Sequence, residues 1–272
     1  MDGVPVRFAR FVHAGGVSFG VVEGEPGAGS SGLTVAEIGS LPFEAVRFTG
    51  QRWALADVRL LAPIFSSKVI GVGRNYADHA AEFGNEVPRE PLIFIKPSTS
   101  VIGPNDAIRL PSQSERVEEE AELAVVIGAT GARRVDRAGA EKAIFGYTVG
   151  NDVTARDLQR SDKTWTRAKG FDSFCPLGPW IVTDLDVSDL EVRCEVGRNP
   201  DEMEVRQIGR TKDMVFDVPT LVSYVSHVMT LLPGDVILTG TPAGVSQILP
   251  GETVSCWVQG IGEIRNPVVS LD

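Results

Sequence analysis

Residues 118–128 read EEEAELAVVIG and join three alternating carboxylates to an uninterrupted apolar run. Because side chains alternate along a β-strand, Glu118, Glu120 and Glu122 are predicted to share one face. The apolar run that follows predicts a strand that enters the hydrophobic core. Like charges on one face repel unless water or a cation neutralises them, so the segment is either a solvated edge strand or one side of a cation site. Carboxylates without Cys or His favour a hard divalent ion such as Mg²⁺ or Mn²⁺.

A second apolar segment, IFGYTVGND at residues 144–152, ends in Asp152. The aspartate stands where a buried strand is predicted to emerge, and the glycine two residues before it allows close approach of other groups. Taken alone, such a residue is more often a turn aspartate. Beside Glu120 and Glu122 it would be a third oxygen ligand and would leave open positions on a metal ion for water and substrate.

Short strands outnumber helices along the whole chain, and no regular alternation of strand and helix occurs. This pattern predicts a β-rich α+β fold rather than a doubly wound sheet. Residues 1–62 predict a small N-terminal β-rich domain, in which the capping-box spacing of TVAE at 34–37 predicts a short helix. Residues 68–272 are predicted to form the catalytic domain. Within it, the apolar spacing at 219–232 predicts a helix that ends at Pro233.

Composition excludes several classes of protein. The 272 residues carry a formal net charge of −10, which argues against nucleic acid as the main partner. No apolar run reaches the ~18 residues of a membrane span, and the first twenty residues lack the apolar region of a secretory signal. Cys175, Cys194 and Cys256 form no C-x-x-C pair, which disfavours a disulfide scaffold or a thiolate zinc site and is typical of a cytoplasmic protein.

The segment NYADHAAE at residues 75–82 carries a candidate general base. His79 and Glu82 are three positions apart, so they are neighbours on one face of a helix. A carboxylate beside an imidazole orients the ring and raises its basicity, which suits a base that acts on water. The same pair is also common as a surface contact. The short segment is predicted to act as a lid if the pair is catalytic.

Basic and glycine-rich segments are less informative. Lys96, Arg156 and Lys169 are each, taken alone, typical of surface positions. The segment LTGTPAG at 238–244 lacks the G-K-[ST] ending of a P-loop, and GVGRNY at 71–76 does not match G-x-G-x-x-G. A nucleotide site is therefore not supported.

Six sequence blocks occur in a fixed order between residues 68 and 269: GVGRNYADHAAE, IFIKP, EEEAELAVVIG, GYTVGNDVTARDLQ, KGFDSFCPLGPWIV and LLPGDVILTGTPAGV. Together they resemble the fumarylacetoacetate hydrolase family. The resemblance implies a mixed β-sandwich roll, a bound divalent ion (Mg²⁺ or Mn²⁺) and a homodimer. It also implies small-molecule substrates that are 2-oxo or 2,4-dioxo carboxylates able to form enolates.

Carried over by motif, the resemblance implies a role for nine residues: Glu120, Glu122 and Asp152 as metal ligands, His79, Glu82 and Lys169 as catalytic groups, and Arg156, Gln159 and Thr241 as substrate-binding groups. The chain departs from the family pattern in two places. Glu118 stands where relatives often have Asp or His, and GRNPDEMEVR at 197–206 replaces a short Asn-Gly turn. We expect the altered loop to affect substrate preference more than catalysis.

The resemblance implies three reactions that share one metal-stabilised enolate. They are C–C bond hydrolysis of the acylpyruvase type, decarboxylation of the oxaloacetate type, and isomerisation of 2-hydroxyhepta-2,4-diene-1,7-dioate. The His79–Glu82 pair favours the first two, and the isomerase is the alternative. A further alternative is a noncatalytic metal- or ligand-binding protein, which would have no use for this pair or for Lys169.

Overall fold

The structure is a computed structural model that describes residues 5–25 and 32–271. Its strands are, in chain order, β1 (Arg7–His13), β2 (Gly16–Glu23), β3 (Thr34–Ile38), β4 (Phe48–Ala54), β5 (Arg59–Leu61), β6 (Val69–Gly73), β7 (Leu92–Lys96), β8 (Val101–Ile102), β9 (Ile108–Leu110), β10 (Val117–Glu118), β11 (Ala121–Ile127), β12 (Ile144–Asn151), β13 (Thr154–Ala155), β14 (Cys175–Val182), β15 (Glu191–Gly197), β16 (Glu204–Arg210), β17 (Val236–Leu238), β18 (Thr253–Val258) and β19 (Gly262–Ser270). Its α-helices are α1 (Ala77–Glu82), α2 (Arg137–Ala143), α3 (Arg156–Ser161), α4 (Thr166–Gly170) and α5 (Val218–Val228).

Within these described ranges, most strands belong to two mixed sheets. The larger sheet runs in the order β4-β3-β2-β1-β14-β12-β11-β17-β6-β7, with β5 beside β1 and β8 beside β14. The smaller sheet runs in the order β16-β15-β18-β19-β9, and β10 pairs separately with β13. Parallel pairs, such as β6 with β17, occur among mostly antiparallel ones. The predicted β-rich α+β fold is therefore confirmed.

Strand β11 lies at the centre of the core, and all seven of its residues are buried. Leu123, Val125 and Ile127 pack into the cluster that includes the smaller sheet. Ala124 and Val126 pack on the opposite face. Because both faces are covered, the strand is continuously apolar from Leu123 to Ile127 rather than alternating. Each fully buried Val, Leu or Ile contributes about 1.5–3 kcal/mol of hydrophobic stabilisation. The burial of β11 therefore fixes the position of the residues that directly precede it in the chain.

The N-terminal strands extend the larger sheet. Strands β1 to β4 form an antiparallel meander, and β1 pairs with β14 through Arg7 opposite Val182. The division of the chain at residue 62 stays a prediction. The helix predicted at residues 34–37 is wrong, because this segment is strand β3, paired on both sides by β2 and β4.

The longest helix, α5, ends earlier than predicted. It stops at Val228 rather than at Pro233. The chain leaves the helix because Leu231 exchanges backbone hydrogen bonds with Ala132, at N–O distances of 2.8 and 2.9 Å. Leu232, the last residue of the predicted helix, is 47% exposed. Among the described helices, none combines the length and the apolar character that crossing a membrane requires.

Candidate active site

A cavity of about 280 Å³ opens where β6, β11, β12 and the short helices α1, α3 and α4 meet. Eight of the nine predicted site residues line this cavity. The ninth, Glu82, contacts one of them, His79. The structure therefore brings the predicted residues together around one space, although they come from segments far apart in the sequence.

Three carboxylates converge at the buried end of the cavity. Ligand atoms of Glu120, Glu122 and Asp152 all lie within 4.8 Å of one another. The hairpin register places them, because Ala121 pairs with Asn151 at the open end of the β11–β12 pair. The Asp152 N–H donates to the Glu120 carbonyl oxygen at 2.9 Å. These backbone contacts hold the three side chains in one place before any ion binds.

The single strand predicted through Glu118 is interrupted. Strand β10 ends at Glu118 and β11 begins at Ala121, because the Glu120 N–H donates to the side-chain oxygen of Asn151 at 2.9 Å instead of to a strand partner. Glu118 consequently lies outside the cluster. Its carboxylate accepts from Nε of Arg156 at 2.6 Å.

Three buried cations are bonded directly to the cluster, and two of them, Lys169 and Arg156, contact Glu120. Nζ of Lys169 donates to Glu120 at 2.7 Å and to Asp152 at 2.6 Å. Arg156 donates to Glu120 at 2.6 Å. Burial by itself raises the pKa of Glu120, but the charges of Lys169 and Arg156 outweigh it and hold that pKa below its usual range. Glu120 is therefore ionised.

Glu122 is in the opposite electrostatic situation. Burial, together with the negative charges of Asp152 and Glu120, raises the pKa of Glu122 well above its usual value. The Gly240 N–H donates to this carboxylate at 2.6 Å. Because Glu122 resists ionisation in this buried site, an additional positive charge beside it would stabilise its ionised form. Three buried oxygen donors without Cys or His form a set that fits a hard divalent cation.

The His79–Glu82 pair forms as predicted on α1. Nδ1 of His79 lies 3.3 Å from a carboxylate oxygen of Glu82. That carboxylate accepts from the Gly244 N–H at 3.3 Å, which fixes it from the other side. Gly244 has φ +104°, and a Cβ there would lie 2.1 Å from the carbonyl oxygen of Arg206. Only glycine therefore allows this contact without a backbone shift. Burial lowers the pKa of His79, so its imidazole is neutral and able to accept a proton.

The three predicted substrate-binding residues also line the cavity. Nη1 of Arg156 donates to the side-chain oxygen of Gln159 at 2.6 Å. The Thr241 hydroxyl donates to the carbonyl oxygen of Ala121 at 2.8 Å and accepts from Nε2 of Gln207 at 2.7 Å. Their role in substrate binding stays a prediction.

Two supporting residues were missed in the sequence. Lys96, expected at the surface, is fully buried, and its Nζ donates to Asp152 at 2.6 Å and to the Val153 carbonyl oxygen at 3.2 Å. Gln207 accepts from the Ala121 N–H at 3.0 Å and so supports the start of β11. The one available signal for Lys96 was its place at the end of an apolar strand, directly before a proline.

Removal of the Lys96 charge is expected to destabilise the fold. Lys96→Met leaves Asp152 with one buried cation instead of two, and loss of one partner of a buried ion pair costs about 3–5 kcal/mol. Because Lys169 remains, we expect about 3 kcal/mol, measured by denaturant unfolding. Lys142→Met, on the exposed side of α2, serves as the control and should change stability by less than about 0.5 kcal/mol. Equal stability of the two variants would contradict the structural role of Lys96.

The chain is similar to known proteins over most of its length. The family model "Fumarylacetoacetate (FAA) hydrolase C-terminal" matches residues 68–269, and the model "Rv2993c-like, N-terminal" matches residues 6–63. The chain is 53% identical to Protein Rv2993c of Mycobacterium tuberculosis over 267 residues, which cover 97% of this chain and 98% of that protein. It is 42% identical to the mitochondrial oxaloacetate decarboxylase of Dictyostelium discoideum over 204 residues, 71% of this chain and 89% of that protein.

A solved structure is also similar over the full length. The crystal structure of 5-carboxymethyl-2-hydroxymuconate delta-isomerase from Mycobacterium smegmatis superposes with a TM-score of 0.87 at 53% identity, and the match covers 97% of this chain and 99% of that one. The predicted family fold is thereby confirmed. The family model matches more than half of this chain, and these relatives are well above 30% identical to it. The chain therefore belongs to the fumarylacetoacetate hydrolase family.

Proposed function

We propose that the protein is a divalent-metal-dependent enzyme that acts on enolisable 2-oxo and 2,4-dioxo carboxylates, by hydrolysis of a C–C bond or by decarboxylation. The observation that carries this proposal is the placement of a neutral, carboxylate-oriented imidazole and three converging carboxylates around one cavity. The similarity to an oxaloacetate decarboxylase supports the same class of substrate.

The size of the cavity also supports a small substrate. Ligand sites usually measure about 300–1,000 Å³, and the volume of about 280 Å³ lies at the lower limit of that range. A small acid fits a space of this size.

Glu120, Glu122 and Asp152 would hold the ion, which when bound supplies Lewis-acid polarisation of the substrate's 2-oxo carboxylate oxygens. Mg²⁺ and Mn²⁺ both suit this oxygen donor set. Lys169 spans Glu120 and Asp152 and keeps both carboxylates in position. The protein's part in metal binding is this prearrangement, which lowers the ordering cost when the ion enters.

The His79–Glu82 pair would supply the proton transfer. Nδ1 of His79 faces Glu82, so Nε2 is the nitrogen available to take a proton from water. In hydrolysis the resulting hydroxide attacks the C4 carbonyl, the C3–C4 bond breaks, and its electron pair remains on the enolate of the 2-oxo acid. In decarboxylation the same bond breaks as CO₂ leaves, and α1 serves to exclude water from the enolate.

An isomerase is the second candidate, because the M. smegmatis structure of that description is 53% identical and similar over almost the whole chain. Tautomerisation would use the same carboxylates and would move one proton without breaking a C–C bond. A homodimer and a cytoplasmic location stay predictions from the sequence.

A panel of substrates tests the proposal and separates the reactions. The Mg²⁺-supplemented protein is assayed with acylpyruvates, oxaloacetate and a 2-hydroxy-2,4-dienedioate, and kcat/KM is compared. We expect C–C cleavage or CO₂ release to give the highest kcat/KM. A dominant tautomerisation would establish the isomerase instead. Failure to turn over any of the three classes would contradict the proposed function.

A further inference from the structure

Arg156, which the family resemblance assigns to substrate binding, already has three hydrogen-bond partners inside the protein. Its Nε, Nη1 and Nη2 each donate at 2.6 Å, to Glu118, Gln159 and Glu120 respectively. Its guanidinium also lies 4.6 Å from the ring centroid of Phe83. Three of its five N–H donors are therefore used inside the protein, and its charge is already balanced by two buried carboxylates, of Glu118 and Glu120.

Two other arginines line the same cavity and are not used in this way. Arg74 follows β6 and is half-buried, and Arg160 lies on α3 and is exposed. Among the described residues, neither guanidinium forms a hydrogen bond or an ion pair, whereas nearby Arg167 is paired with Asp162. Both arginines are charged at every physiological pH. They therefore add two positive charges, without a hydrogen-bonded or ion-paired partner among the described residues, to the lining of the cavity that holds the carboxylates.

The backbone around Arg74 is unusual. Arg74 has φ +58°, a left-handed conformation that is uncommon for a residue other than glycine, asparagine or aspartate. Before it, a Cβ at Gly73 would lie 2.7 Å from the Trp165 ring, so the glycine permits the ring to pack against the end of β6. Trp165 in turn contacts Phe94 edge to face at 5.4 Å. Trp165, which also lines the cavity, thus packs against the end of β6 directly before Arg74.

We propose that Arg74 and Arg160 form a second anion subsite, which selects 2-oxo acids that carry another carboxylate at their far end. The inference rests on the proposed function, since the 2-oxo carboxylate head must bind at the closed end of the cavity. The two guanidinium groups then bind the distal carboxylate by charge-assisted hydrogen bonds, while the Trp165 ring contacts the carbon chain. The preferred substrates are dicarboxylates rather than simple acylpyruvates.

A matched pair of stable ligands tests this subsite without turnover. Calorimetric titration of the Mg²⁺-loaded protein compares 2-oxoglutarate with 2-oxopentanoate, which has the same five carbons but a methyl group in place of the distal carboxylate. We expect 2-oxoglutarate to bind the unmodified protein at least about tenfold more tightly, since hydrogen bonds to charged groups are worth about 1.5–3 kcal/mol.

The double variant Arg74→Asn, Arg160→Gln is expected to reduce this preference to about twofold or less and to leave the affinity for 2-oxopentanoate unchanged. Asparagine is chosen because it tolerates the positive φ at position 74. Lys163→Gln is the control, because it removes the same charge from an exposed position three residues after Arg160 that does not line the cavity. It should retain the full preference.

The remaining outcomes separate the two proposals. Equal binding of the two acids to the unmodified protein, or a preference that survives in the double variant, would overturn the subsite and leave the proposed function intact. If neither acid binds to the Mg²⁺-loaded protein, the proposal that the closed end of the cavity binds 2-oxo acids is overturned, and the proposed subsite is overturned with it.

Discussion

Replacement of His79 by alanine is expected to lower kcat by about 10²- to 10⁴-fold, the range that a general acid–base group contributes. The affinity for Mg²⁺ should not change, because His79 lies outside the three-carboxylate cluster. Turnover of the best substrate of the panel measures the first effect, and calorimetric titration with Mg²⁺ measures the second. This combination separates a catalytic loss from a loss of the metal site.

The pH dependence gives an independent readout of the same residue. Burial lowers the pKa of His79 below the usual 6.5, so the base stays unprotonated to a more acidic pH than an exposed histidine would. We therefore expect kcat/KM of the unmodified protein to hold until the pH falls below 6.5, and the residual activity of His79→Ala to lack this acid limb. His227→Ala, at an exposed position on α5, is the matched control. Unchanged turnover in His79→Ala would show that the His79–Glu82 pair takes no part in the mechanism.

The inner part of the site could be predicted from the sequence because its signals are local. Strand alternation placed Glu120 and Glu122 on one face, and the end of an apolar strand placed Asp152 beside them. Helical spacing paired His79 with Glu82. Each of these relations depends on a few neighbouring residues. The family resemblance then supplied what local patterns lack, namely that the separate segments meet.

Lys96 could not be predicted because its burial depends on the position of β7 in the sheet. The strand is apolar on both faces, and as the last strand of the larger sheet it leaves Leu92 37% exposed and Ile95 45% exposed. Nothing in LIFIK shows which face points inward. The direction of the Lys96 side chain follows only from the pairing of Val69 with Lys96.

The two wrong elements have a similar cause. The capping-box spacing at residues 34–37 is a pattern of only four residues. Strand pairing on both sides of β3, which buries Val35 and Ile38, stabilises the extended conformation more than this pattern stabilises a helix. The end of α5 was placed at Pro233, but a backbone bridge between Leu231 and Ala132 draws the chain away first. In both cases contacts distant in sequence outweigh the local preference.

The charges around the site explain how an acidic protein can bind an anionic substrate. Four buried carboxylates, of Glu118, Glu120, Glu122 and Asp152, meet three buried cations, of Lys96, Lys169 and Arg156. With all four carboxylates ionised, the excess is one negative charge, and a bound divalent ion would change it to one positive charge. Nearly all of the net charge of −10 therefore lies in the rest of the molecule, and the ion would set the sign at the proposed substrate site.

Replacement of Glu120 by glutamine is expected to weaken Mg²⁺ binding by more than about 100-fold, because loss of a mere supporting group already costs about 10–100-fold. Glutamine keeps the size of the side chain but removes its charge, and Lys169 and Arg156 lose the carboxylate that they share. The two cations then repel an entering ion. Calorimetric titration with Mg²⁺ and Mn²⁺ in the absence of substrate measures this effect directly.

Glu119→Gln is the matched control for that experiment, one position earlier in the chain. Glu119 is also buried, but it faces Ser246, and burial raises its pKa to about 8, so it is mostly protonated at neutral pH and glutamine resembles it closely. Its Mg²⁺ affinity should equal that of the unmodified protein, and Mg²⁺ should raise the Tm of both, since an ion that binds only the folded state stabilises it. For Glu120→Gln, circular dichroism should show a folded protein whose Tm does not respond to Mg²⁺. Normal Mg²⁺ affinity in this variant would refute the assignment of Glu120 as a ligand and, with it, the three-carboxylate site.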